Sequence, residues 1–153
     1  MTRRPLSYGP ARAGKTAIVH DIAHCCNLEK LLLASFFFSC ADPACSNAKS
    51  FIVTIAYQIA INMPRTQEKM VASIEQDPLI LTRSLEAQAT ALIIDPLHEP
   101  LEAGYFNAAA SRRLIIIDGL DECDTPAVQC SVLQLISFLF HEYHLPLLIL
   151  VAS

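Results

Sequence analysis

Apolar and polar positions along the chain alternate between two periods. From Thr16 to about Cys26, Ile18, Ile22 and Cys25 recur at helical spacing and predict a helix that Asn27 can end. Leu31–Phe38 reads LLLASFFF, an unbroken apolar run of strand length. Such a run predicts a strand covered on both faces. The polar stretch Ser39–Ala48, with Pro43 and two cysteines, predicts a loop. A second helix is expected from about Asn47 to Asn62, burying Ile52, Ile55, Ala56, Ile59 and Met63 and stopped by Pro64. Phe51 and Val53 fall off that stripe and are expected to point elsewhere, as is Phe138.

A shorter, more polar helix is expected over Thr66–Gln76. Another spans Ser84–Asp95, with Ser84 as N-cap and Leu85, Leu92 and Ile93 on one face. Pro96–Ser111 carries two prolines, Gly104 and four alanines and reads as a loop. Leu114–Ile117 is a short buried strand ending in Asp118. Asp124–Pro126, a cap followed by a first-turn proline, opens a helix continued by Val128, Leu135, Ile136 and Leu139. Leu147–Val151 is the last strand, and Leu6–Tyr8 is a very short extended segment before Gly9. Strands alternating with helices predict an α/β fold with a parallel sheet.

Composition sharpens this picture. The chain has 153 residues, enough for one domain, and 53% are apolar. Its mean hydropathy of +0.39 suits strands buried on both faces, or a piece of a larger protein with faces meant for partners. A net charge of −4 without a basic stripe argues against nucleic acid as a partner. No apolar run reaches the ~18 residues of a membrane span, and no signal-peptide pattern follows the N-terminus. The six cysteines include no Cys-x-x-Cys pair, so free thiols in the cytoplasm are expected.

Gly9-Pro10-Ala11-Arg12-Ala13-Gly14-Lys15-Thr16 fits G-x-x-x-x-G-K-[ST] without a gap. Phosphate oxygens need a row of backbone N–H groups, and glycines let the chain curl that closely. The helix that follows adds its positive N-terminal end. Lys15 supplies a point charge for the β- and γ-phosphates, and the Thr16 hydroxyl is a hard oxygen ligand for magnesium. A chain this long matches the pattern by chance roughly once in 150–200 cases. Arg12 stands where many phosphate loops carry a third glycine. It either strains the loop or adds a guanidinium to the phosphates.

Leu114-Ile115-Ile116-Ile117-Asp118-Gly119-Leu120-Asp121-Glu122 is the second constellation. It places Asp118 at the carboxyl end of a strand, where open parallel sheets bind ligands. A carboxylate there can hold magnesium opposite Thr16. Gly119 lets the chain turn, and Asp121 or Glu122 could orient or activate an attacking water. Alone, this would read equally well as a turn with three solvated acids. With the phosphate loop, it predicts a P-loop NTPase.

Other residues carry less. His20 and His24 have zinc-chelating spacing but no third ligand at a fixed offset, so an exposed helix face is the better reading. Cys40 and Cys45 would need two further ligands. His141 and His144 suit the negative end of a helix or solvent. Phe36–Phe38 belongs to a buried strand.

Together GPARAGKTAIVHDIA, LLLASFFFS, NAKSFIVTIAYQIA, DPLI with SLEAQ, RRLIIIDGLDECD and PLLILVAS resemble the NACHT NTPase domain, in the form found in large fungal NLR-like proteins of the STAND class. The resemblance covers nearly all of residues 1–153, and the doubled acid after DGL is its most specific part. It implies a nucleotide-operated switch: an ADP-bound resting monomer that exchanges to ATP, or GTP, and self-associates in the full-length protein. It implies a sheet of order 5-1-4-3-2, counting Leu6–Tyr8 as the first strand, with helices on both sides. It implies Lys15 and Thr16 at phosphate and metal, Asp118 as the metal acid, and Asp121 and Glu122 as hydrolytic acids. The chain departs from the pattern before Gly9, where Thr2–Pro5 erodes the first strand, and at Arg12. At Ser153 it stops where the family continues with Arg-Pro, so the domain is expected to be incomplete, lacking its fifth strand, sensor arginine and lid. A non-hydrolysing relic that only binds or oligomerises is the alternative. A small-molecule kinase is disfavoured by the doubled acid.

Overall fold

A computed structural model describes residues 14–43, 46–108, 111–123, 125–141 and 145–152. Three strands, β1 (Leu32–Phe37), β2 (Leu114–Asp118) and β3 (Leu148–Val151), form a parallel sheet in the order β1-β2-β3. Phe37 pairs with Asp118, and Ile117 pairs with Val151. In the numbering of the expected order, which counts Leu6–Tyr8 as the first strand, these are the second, third and fourth strands. Their adjacency matches the 4-3-2 portion of the expected order. The segment Leu6–Tyr8 lies outside the described residues, as do Cys45, Asp124 and His144.

Helix α1 (Lys15–Leu28) covers one face of the sheet, packing Val19 and Ala23 against Leu32 and Ile116. It runs past the expected stop at Asn27 because the left-handed residue is Lys30 (φ 57°). The N–H groups of Lys30 and Leu31 then reach back to the carbonyls of Asn27 and Cys26. The opposite face carries the main core. Leu33, Ala34, Phe36 and Phe38 of the β1 region and Ile115 and Ile117 of β2 meet α2 (Ala48–Asn62) and α6 (Pro126–His141) there. Strict alternation would send Leu33 and Ala34 to opposite faces. A register irregularity between Leu32 and Ala34 puts both in the same cluster.

Helix α2 starts where expected, with the Asn47 side chain accepting the Ser50 N–H at 2.9 Å. Its predicted stripe is buried, but Phe51 corrects the sequence reading. It is buried, edge-on to Phe36 and stacked with Phe38 at 5.9 Å between ring centroids. Phe138 likewise packs partly against the main core, while Val53 is exposed as expected. An amphipathic stripe widens when a neighbouring strand supplies aromatic partners.

After a 3-10 turn at Pro64–Thr66 comes α3 (Gln67–Gln76). The next helical run continues well past its expected end. It comprises α4 (Leu85–Ala89), a π-helical segment (Thr90–Ile94) and α5 (Asp95–Glu102). The loop expected from Pro96 therefore begins only after Glu102. Pro96 falls in the first turn of α5, where a missing N–H is tolerated, and the preceding π turn re-spaces the ladder. Burial of Ile93, Ile94, Pro96, Leu97 and Pro100 outweighs the proline cost. Ser84 caps α4 as read, accepting the Ala87 N–H at 3.2 Å. In α6 the Thr125 hydroxyl accepts the Val128 N–H at 3.3 Å and Pro126 opens the helix.

The outer edge of β1 is closed by α2. The Ser35 N–H donates to Gln58 Oε1 at 2.9 Å, and Gln58 Nε2 donates to the Ser35 carbonyl at 2.7 Å. One turn on, Asn62 Nδ2 donates to the Leu33 carbonyl at 2.8 Å. A side-chain amide thus stands in for the missing neighbour strand. Gln58→Ala should lower unfolding free energy by about 1–2 kcal/mol, because part-buried backbone groups lose their partners. Urea titration reads this directly, and a change near zero would mean that water substitutes freely for the amide.

Candidate functional site

The carboxyl ends of the strands gather the acidic constellation. Asp118 closes β2 and is only 3% exposed, and its Oδ2 has no hydrogen-bond partner among the described residues. The chain then turns through Gly119, at φ 72°, into a 3-10 turn over Leu120–Glu122. Glu122 N–H donates to the Gly119 carbonyl at 2.7 Å, which tightens the turn. Glycine is required at 119 for two reasons. The φ is left-handed, and a Cβ there would sit 2.6 Å from the Phe38 carbonyl oxygen.

Helix α1 places the Gly14-Lys15-Thr16 turn at the same end. His20 stacks on Phe37, near the carboxyl end of β1, with ring centroids 3.8 Å apart. Ala23 lies in one buried cluster with Leu32, at the amino end of β1. The helix therefore runs antiparallel to the strand. Its first residue, Lys15, lies roughly 7.5 Å further along the axis than His20, at 1.5 Å per residue. Gly14 precedes it with φ 78°, and a Cβ there would meet nothing within 4 Å. Its role is conformational rather than steric. Lys15 is half-buried and Thr16 is exposed. Gly9, Pro10, Ala11, Arg12 and Ala13 lie outside the described residues.

The two adjacent acids differ. Glu122 is half-buried, and its Oε2 accepts the Cys40 N–H at 3.3 Å. Asp121 is exposed, and its backbone carbonyl accepts Gln129 Nε2 at 3.4 Å. The contact from Cys40 is not legible in the sequence. A peptide N–H carries no residue signature, so nothing in the sequence points to it.

Among the described residues no cluster of three or more His, Cys, Asp or Glu is arranged to hold a metal. His20 and His24 are both exposed on α1. One buried carboxylate, at Asp118, lies at the end of the sheet where α1 begins with Lys15 and Thr16. A hard, small cation that keeps most of its waters and takes phosphate oxygens needs no more protein than this. The orphaned Oδ2 of Asp118 fits such a cation, since a buried acceptor without a partner is otherwise costly.

The class is thus an α/β domain whose parallel sheet, of three strands among the described residues and flanked by helices, presents an acidic turn at its carboxyl end. A family model described as nephrocystin 3, N-terminal, matches residues 5–153, and the chain belongs to that family. The matching model is not that of the NACHT domain. No curated protein and no solved structure matches the chain. None of the described helices is long and apolar enough to cross a membrane.

Proposed function

We propose that the chain is a P-loop nucleotide-binding module of the NACHT-like kind. It would take ATP, with GTP as the alternative, together with magnesium, and hydrolyse the terminal phosphate. One observation carries the reading: a buried carboxylate with an unpartnered oxygen, Asp118, lies at the same end of the sheet as the G-K-T turn that opens α1. Lys15 supplies the charge that neutralises the β- and γ-phosphates. The first-turn N–H groups of α1, which have no acceptor within a helix, would meet the same oxygens. Thr16 and Asp118 would hold the magnesium, which when bound neutralises charge on the phosphate oxygens. Asp121 and Glu122 are the acids available to orient or deprotonate water. Gly9, Pro10, Ala11, Arg12, Ala13 and Gly14 complete the cradle by sequence pattern. In the full-length protein the module would act in the cytoplasm as the nucleotide switch of an NLR-like signalling protein, with self-association as its output.

Titration with ATP and magnesium tests the reading. Lys15→Ala should weaken binding at least about tenfold, or ~1.4 kcal/mol. Equal affinity in the two proteins would remove the phosphate-loop assignment. Phosphate release measured with and without an added acceptor then separates hydrolysis from simple binding and from kinase chemistry.

A further inference from the structure

We propose that the exposed face of α3 docks a helix of a partner protein, one that carries Lys or Arg beside an apolar seam. The proposal is independent of the nucleotide reading above, and the residues that carry it take no part in that site.

Met70 is the one buried residue of α3. Val71 and Ile74 are 53% and 45% exposed. With Pro64 and Gln67 they follow the alternating three- and four-residue spacing of a helix-pairing seam, the a and d positions of a heptad. The same register puts Glu68 and Glu75 at successive e positions, about 10.5 Å apart along one side of the helix. An open hollow of about 550 Å³ runs along that side, lined by Pro64, Gln67, Glu68, Val71, Ala72 and Glu75. Its volume is that of a ligand pocket. Every lining residue, however, belongs to one helix and the turn before it, so the hollow lacks a second wall. A second helix would supply that wall. The apolar surface continues onto α2. Gln67 Nε2 donates to the Ala60 carbonyl at 2.8 Å, which holds the end of α2 beside the start of α3. Ile61 is exposed, as is Tyr57 one turn earlier. Lys49 is the one charged residue of α2, and a helix this apolar on every side is normally covered.

Charge selects the occupant. Neither Glu68 nor Glu75 has an ion-pair or hydrogen-bond partner among the described residues. Arg65 and Lys69 are exposed but line no part of the hollow. Two unpaired carboxylates beside apolar surface attract cations of matching spacing and repel nucleic acid and anionic membrane. A second copy of this chain fits poorly, because no described α-helix carries more than one Lys or Arg. The occupant is therefore a foreign helix with an apolar seam and two Lys or Arg seven residues apart. A contact on so short a helix belongs to the small, transient class of interface.

The experiment uses the whole chain and two synthetic peptides of three heptads, with Leu at a and d and either Lys or Glu at e and g. Like charges at e and g keep each peptide from pairing with itself. Fluorescence anisotropy reads the binding of both. The Lys peptide should bind at least about tenfold tighter than the Glu peptide at low salt, and should weaken as salt is added. Glu68→Lys combined with Glu75→Lys should reverse that order. Glu29→Lys combined with Glu99→Lys changes the net charge equally at exposed positions elsewhere and should leave the order as it was. Val71→Gln keeps helix propensity and removes the apolar contact, and it should weaken the Lys peptide about five- to tenfold. All five positions are exposed, and thermal melts check that each variant folds as wild type does. Equal binding of the two peptides, an order unmoved by the exchange at 68 and 75, or full affinity in Val71→Gln overturns the proposal. Sedimentation of the chain alone tests the other occupant. A monomer supports a foreign helix. A dimer that Val71→Gln dissociates assigns the face to a second copy and overturns the proposal as well.

Discussion

Asp118→Asn should raise the stability of the ligand-free protein and, in the same protein, abolish stabilisation by nucleotide with magnesium. The two effects have one cause. Asp118 is 3% exposed and its Oδ2 has no partner among the described residues. A residue kept for folding would have its oxygens satisfied, because leaving a buried acceptor unpaired costs about 1–3 kcal/mol. Asparagine conserves the shape and removes the negative charge that the site would otherwise neutralise with a cation. A gain of about 1–2 kcal/mol is expected, or roughly 2–8 °C in Tm for a chain of this length. Wild-type protein at a hundredfold excess over Kd should gain ~2.7 kcal/mol from the bound ligand. The variant should lose most of that gain when magnesium is present, and should be stabilised by nucleotide to the same extent as wild type when it is withheld. Differential scanning with and without magnesium reads all four states. A variant that is less stable than wild type without ligand would make the carboxylate a structural group and count against the metal site.

Gly119→Ala should be the most damaging methyl addition at the three described glycines. Alanine in the left-handed region costs about 1–2 kcal/mol. The added Cβ would also stand 2.6 Å from the Phe38 carbonyl oxygen, a backbone atom that cannot rotate away. Relief requires separating the β1 exit loop from the acidic turn, which also breaks the bond from Phe38 N–H to the Asp118 carbonyl. The total is about 3 kcal/mol, combining strain and overpacking, or roughly 6–12 °C in Tm. Gly14→Ala is the control. Its φ is similar at 78°, but a Cβ there meets nothing within 4 Å. It should cost only the conformational part, about 1 kcal/mol. Urea denaturation of the two variants decides, and equal losses would show that the contact with Phe38 contributes nothing.

Strands β1 and β2 were legible because each is an apolar run too short for a helix and too continuous for a half-exposed strand. Helix α2 was legible from its period and its Asn47 cap, which are both local signals. Asp118 was placed correctly at a strand end because the run Leu114–Ile117 stops in a carboxylate followed by glycine. Less legible was any feature whose cause lies far along the chain. The helix through Pro96 and Pro100 contradicts local propensity, and it holds because Leu97 and its neighbours are buried against other elements. Phe51 is inside because the β1 region supplies Phe36 and Phe38 beside it.

The sequence by itself determined the periods, the caps and the chemical types at the ends of strands, because each depends on residues within a few positions of one another. The tertiary structure decided which of two adjacent acids is held. Asp121 and Glu122 are equivalent by composition, and they differ only because the loop after β1 passes close enough for the Cys40 N–H to reach Glu122. It also decided why residue 119 must be glycine: the turn needs a left-handed φ, but the lack of room comes from Phe38 on another strand's exit. Contacts across 80 or so residues are set by packing of the sheet and its helices, and no local pattern encodes them.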